Sequence, residues 1–170
     1  MLVVLRKSSI LKNEVELDET YVGGKQSGKR GRGAEGKSVV FGAVERKGNV
    51  NGYVVPNAKA KTLLPIIAET VDQTAHIYTD EFRSYRRLTS NNFNHDTVQH
   101  GIREFARGGV HTNNIEGFWS QLKRGVLGTH VWVSEQHLQK YVDEFAFRYN
   151  QRSTEIPMFD RLLLNLVRLS

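Results

Sequence analysis

The chain has no cysteine among its 170 residues, which excludes disulfides and thiolate zinc sites. No apolar run approaches the roughly 18 residues that a membrane helix needs. The N-terminal MLVVLRKSSILK lacks the long apolar core and small-residue cleavage site of a secretion signal. These absences point to a soluble, cytoplasmic protein with no membrane partner. There is no HExxH, and His76, His95, His100, His111, His130 and His137 form no pair at metal-ligand spacing on a helix. Acid is in deficit: 24 Lys and Arg stand against 18 Asp and Glu, with a pI near 9.7. That balance favours a polyanionic partner, of which nucleic acid is the commonest.

The length suits a single domain with a proper core. From Glu14 to Gly23 the chain alternates, with Val15, Leu17, Glu19 and Tyr21 on one side and Glu16, Asp18 and Thr20 on the other. This predicts a strand ended by Gly23–Gly24, with the second side its polar face. Residues 38–46 and 50–56, separated by Lys47-Gly48-Asn49, predict a hairpin. A helix is expected from Leu63 to Gln73, capped by Thr62 and with Pro65 in its first turn. Ala75–Thr79 reads as a short buried strand running into Asp80, Glu81–Leu88 as a short helix, and Thr97–Gln99 as an edge strand. Ile115, Phe118, Trp119, Leu122 and Val126 mark the buried stripe of a further helix. A loop from Gly125 to Val133 should follow it. Another helix runs from a Ser134 cap to about Asn150, and Pro157 opens a last one with Leu162, Leu163, Leu166 and Leu169. The organisation is a lead-in over 1–13, one α/β domain over 14–152 and a C-terminal helix over 153–170. Its core is a mixed sheet flanked by helices.

Residues 31–38, GRGAEGKS, satisfy the phosphate-loop pattern, but both contexts fail. A glycine-rich basic run precedes them, and the strand-like Val39-Val40-Phe41 follows where a helix should open. No nucleotide cofactor is expected. The run from 23 to 37 holds six glycines and five basic residues, Lys25, Lys29, Arg30, Arg32 and Lys37. It reads either as a loop gripping phosphate backbone or as a solvated hairpin loop.

Three acids stand out. Asp18 lies in a strand, where Asp is depleted. Asp80 ends a strand, where it also suits a helix cap. Glu116 shares a helix face with Asn113, Ser120 and Lys123, and Asn113 with Glu116 also reads as a capping box. Together they form the set that hard divalent ions prefer: oxygen ligands that leave room for water and substrate phosphate. His111, close before Glu116, is a further candidate for the site.

Three stretches carry a family resemblance: ELDETYVGGK around Asp18, IYTDEFRSY around Asp80, and HTNNIEGFWSQLKRG through HLQKYVDEFAFRYNQR. Over roughly residues 14–152 the chain resembles the catalytic domain of ISXO-like insertion-sequence transposases, within the DDE group. The resemblance implies an RNase H-like fold, in which three antiparallel strands continue into parallel ones between flanking helices. It implies Mg²⁺-dependent DNA cleavage and strand transfer, with Mn²⁺ a possible substitute. Asp18, Asp80 and Glu116 would be the catalytic metal ligands, with Asn113 and Asn114 as alternatives for the third position. Lys123 and Arg124 would touch DNA beside the basic loop. The expected partners are transposon ends and target DNA, in an oligomer at the nucleoid. Such transposases usually carry a zinc-ribbon or helical DNA-binding region in front of this domain. About a dozen residues precede the first strand here, so the expectation is an isolated catalytic domain or a truncated element. The alternative is a catalytically inactive DNA-binding remnant.

Overall fold

The computed structural model describes residues 9–23, 37–98, 111–129 and 135–160. Five strands form one sheet in the order β3-β2-β1-β4-β5. Strands β1 (Glu14–Gly23), β2 (Lys37–Glu45) and β3 (Val50–Val55) are antiparallel neighbours. Strand β4 (His76–Asp80) adds parallel to β1, and β5 (Asn94–Val98) parallel to β4. Helix α1 (Ala60–Thr70) supplies the crossover from β3 to β4, as parallel pairing requires. Two short 3₁₀ turns, Arg83–Arg87 and Thr89–Asn91, join β4 to β5. Helices α2 (Asn113–Thr129) and α3 (Glu135–Asn150) follow.

Strand β1 is central and covered on both faces. Val15 and Leu17 join Phe41, Leu63, Ile67, Ile77 and Tyr85 beneath α1. On the other face Val22, Val40 and Val44 pack on Ile115, Phe118, Trp119 and Leu122 of α2 and on Val142 of α3. The polar side of β1 is therefore enclosed, and Glu16 and Thr20 are buried with it. Sequence alternation reported polarity correctly but not exposure, because helices distant in sequence cover that face.

Close approach there depends on Gly42, which pairs with Asp18 across β1 and β2. A Cβ on Gly42 would lie 2.6 Å from the Trp119 ring. Edge strand β3 is closed off by α3: Gln139 Oε1 accepts from Val54 N–H at 2.7 Å, and Asn150 Oδ1 accepts from Val50 N–H at 2.7 Å. These bonds satisfy the kind of edge groups that otherwise recruit another strand.

Several boundaries differ from expectation. Helix α1 begins at Ala60 after Lys59, not at a Thr62 cap, because Asn57 Oδ1 accepts both the Lys59 N–H and the Thr62 hydroxyl. Pro65 consequently lies inside the helix, between buried Leu63 and Ile67. The helix stops at Thr70, where Leu11 bridges to Val71 and takes a fully buried place in the core. Residues 125–129 of the expected loop are instead the last turn of α2, while 130–133 and the expected Ser134 cap lie outside the described residues. Val126 continues its apolar stripe, and Gly125 faces the Phe145 ring of α3, so that glycine marks a contact and not a break. Strand β5 starts at Asn94, earlier than Thr97, while Gln99 lies outside the described residues. Helical residues begin at Met158 after Pro157, but Leu162, Leu163, Leu166 and Leu169 also lie outside them. No described helix is long and apolar enough to cross a membrane.

Gly42→Ala should lower stability by about 1–3 kcal/mol, the usual cost of overpacking a filled core. The check is a reduced urea midpoint at unchanged slope. An unchanged midpoint would mean that Trp119 does not sit on Gly42.

Candidate active site

The last register pair between β1 and β4 is Glu16 with Tyr78. Two residues further along each strand come Asp18 and Asp80, which therefore share a face where the two strands diverge. Helix α2 covers that face and carries Glu116 in its first turn. Asp18, Glu116, Trp119, Ser120 and Lys123 line a cleft of about 440 Å³ together with Lys37 at the start of β2. Asp80 borders a smaller cleft of about 150 Å³ with Phe82, Tyr85, Arg86 and His95.

Asp18 shows how the three acids sense one another. Burial raises its carboxyl first, followed by the charge of Asp80 and, more weakly, that of Glu116, to about 6. The Glu19 backbone amide and the Trp119 indole pull the other way, and Trp119 Nε1 donates to Asp18 Oδ2 at 3.0 Å. Asp80 Oδ1 accepts the Phe82 N–H at 2.9 Å, so the carboxylate also shapes the turn leaving β4. Glu116 Oε1 accepts the Thr112 hydroxyl at 3.0 Å, and the helix begins at Asn113, so Asn113 does not cap it through Glu116. Among the described residues no three His, Cys, Asp or Glu side chains are already gathered closely enough to hold a metal ion. The donor chemistry nevertheless suits a hard divalent cation: these are carboxylate oxygens, and like charge raises Asp18 in a way that a cation would offset.

The other candidates separate. Asn114 is engaged elsewhere, its side chain donating to Glu16 Oε1 at 2.8 Å. The Nδ1 atom of His111 lies 3.2 Å from the same oxygen, outside the cleft lining. Lys123 and Lys37 line the cleft, whereas Arg124 is exposed on α2 and does not. Lys25, Lys29, Arg30 and Arg32 lie outside the described residues. Two contributors were missed from sequence. Trp119 was read only as apolar stripe, although an indole N–H needs a partner when buried. Glu16 was set aside beside Asp18, although two acids on one strand face are unusual enough to have flagged it. A second buried acid, Glu19, faces the opposite core and accepts the Tyr85 hydroxyl at 2.8 Å. Burial, then the Glu19 charge, holds the Tyr85 phenol well above its usual range.

This is the fold of integrase catalytic cores, an RNase H-like sheet. The catalytic core domain of BIV integrase superposes with a TM-score of 0.50 at 14% identity, over 93% of this chain and 98% of that one. The HTLV-2 integrase catalytic core domain, solved with magnesium in a dimeric form, gives 0.51 at 14% identity over 90% and 97%. Within that class the family is defined by sequence: the ISXO2-like transposase domain matches residues 10–150, and the chain belongs to that family. An uncharacterized transposase-like protein of Haemophilus influenzae is 36% identical over 122 residues, 72% of this chain and 96% of its own. An uncharacterized protein in transposable element ISH50 of Halobacterium salinarum is 34% identical over 157 residues. That match takes in 81% of this chain but 52% of the relative, about half its length.

The state of Asp18 has a measurable consequence. Its native carboxyl holds a proton to about pH 6, whereas the unfolded chain releases it near 3.8. The stability it contributes is complete below about pH 4 and lost as the pH rises through about 6, by at most about 3 kcal/mol. In metal-free thermal melts, Asp18→Asn should gain on wild type across that window and hold its advantage at pH 7. Parallel pH profiles for the two proteins would refute the raised carboxyl.

Proposed function

We propose that this domain cleaves DNA at transposon ends and transfers the strand to a target, using divalent metal. The observation that carries the reading is Asp18, raised by burial and then by the charge of Asp80, in a cleft that Glu116, Lys37 and Lys123 also line. Asp18, Asp80 and Glu116 would hold the ions. Bound there, Mg²⁺ or Mn²⁺ would supply an activated oxygen and neutralise charge on the phosphate. The chain's own residues do the rest. Trp119 fixes one oxygen of Asp18, and the Glu19 backbone amide also holds the carboxylate. Lys37 and Lys123 would offer cationic side chains to a phosphodiester, and Lys25, Lys29, Arg30 and Arg32 would add contacts to the DNA backbone. In each step an oxygen, from water or from a DNA 3′-OH, bonds to phosphorus as the bond to the departing 3′ oxygen breaks. Nucleotide binding by the glycine-rich run has no part in this reading, because β2 and not a helix begins at Lys37.

The partners are DNA ends, target DNA and further copies of the chain, which places the protein at the nucleoid. The assembled state is supported by analogy with relatives of the same fold, one solved as a dimer and another, from simian T-cell lymphotropic virus, as an intasome. A second reading, a DNA-binding remnant without catalysis, rests on the basic balance of 24 Lys and Arg against 18 Asp and Glu, which DNA binding alone would use.

Purified protein should nick plasmid DNA with Mg²⁺ or Mn²⁺. Asp80→Ala or Glu116→Gln should lower the rate by more than about 10²-fold, the scale of losing a positioned charge. Undiminished cleavage in these variants would overturn the site, and DNA binding without cleavage under any divalent ion would favour the remnant. Lys123→Ala should leave the fold intact and reduce the salt dependence of DNA binding by about one phosphate contact.

A further inference from the structure

Strand β1 presents two carboxylates to α2, and they have opposite fates. Asp18 lines the cleft, while Glu16, two residues earlier, is fully buried and outside it. Glu16 Oε2 accepts the backbone N–H groups of Asn114 at 2.9 Å and Ile115 at 3.1 Å. Its Oε1 accepts Asn114 Nδ2 at 2.8 Å and Arg46 Nε at 2.9 Å. The N–H groups in the first turn of a helix have no partner within the helix, and the dipole there favours an anion. A strand residue 98 positions away in sequence thus does the work of a cap.

The charge is balanced from behind. Arg46 donates to Glu14 at 3.1 Å and to the His111 carbonyl at 2.8 Å, and stacks 4.0 Å from the Tyr78 ring centre. One turn further along, α2 returns a bond, Trp119 to Asp18. The helix is therefore pinned to β1 at Asn114–Ile115 and at Trp119, and Glu116 lies between the two pins.

We propose that Glu16 is a positioning residue: by anchoring the first turn of α2 on β1, it sets where Glu116 stands relative to Asp18. The claim rests on the reading of these two acids as metal ligands, and the test separates the two ideas. Metal-free, ¹⁵N-labelled wild type, Glu16→Gln and Asn114→Ala are compared by hydrogen exchange at the Ile115 amide and the Trp119 indole. Mn²⁺ affinity is then measured by electron paramagnetic resonance. Glu16→Gln should remain folded, exchange about ten-fold faster at both sites and bind Mn²⁺ about ten-fold more weakly, the lower end for residues that orient ligands. Asn114→Ala keeps the buried charge paired with Arg46 and should shift both readouts in the same direction by about two-fold. It carries the test if Glu16→Gln does not fold. A lower melting temperature with unchanged indole exchange and Mn²⁺ affinity would make Glu16 merely structural and overturn the proposal. If wild type binds no Mn²⁺, the metal reading falls by itself, and indole exchange alone decides whether Glu16 governs the placement of α2.

Discussion

A carboxylate removed from water must be matched or the fold loses heavily, and Glu16 is where this protein meets that constraint. Stripping one partner from a buried ion pair commonly costs about 3–5 kcal/mol, because the other charge is left unsolvated. Glu16 avoids this by collecting two backbone amides, one side-chain amide and a guanidinium. Each partner comes from a different level of organisation: Arg46 from the turn after β2, Asn114 and Ile115 from a helix start. The arrangement exists only when β1, the hairpin and α2 are all in place, so it ties local elements to one tertiary arrangement.

The same face of β1 then serves two ends. Toward its start it is closed and charge-balanced around Glu16; two residues on it opens into the cleft at Asp18. Gly42 permits the transition by letting the Trp119 ring lie directly on the sheet, close enough for its N–H to reach Asp18. The parallel pairing of β1 with β4 brings Asp80 to the same level. Burial and like charge then leave Asp18 with a carboxyl near 6, a destabilised state of a kind that clusters at functional sites. Lysines at two separate points of the lining, Lys37 and Lys123, make the cleft suited to an anion even though its floor is acidic.

Much of this was legible from residue order. Strand β1, the β2–β3 hairpin, the buried β4 strand and the stripes of α2 and α3 follow from period-two and period-3.6 patterns. Boundaries were less legible where a single residue has two physical uses. Gly125 reads as a helix end but is a contact glycine against Phe145, and Pro65 reads as a first-turn residue but sits within α1. The contact with Phe145 decided the first, and the Asn57 hydrogen bonds that move the helix start to Ala60 decided the second.

By itself the sequence determined the family and the mixed α/β order and singled out Asp18, Asp80 and Glu116, because motif chemistry and hydrophobic period are written locally. Only the tertiary structure decided the fate of each acid on β1. Alternation says that Glu16, Asp18 and Thr20 share a side; it does not say which of them a helix nearly a hundred residues later will cover. That depends on where α2 lands, and α2 lands where Glu16 can satisfy its first amides and Gly42 can admit Trp119.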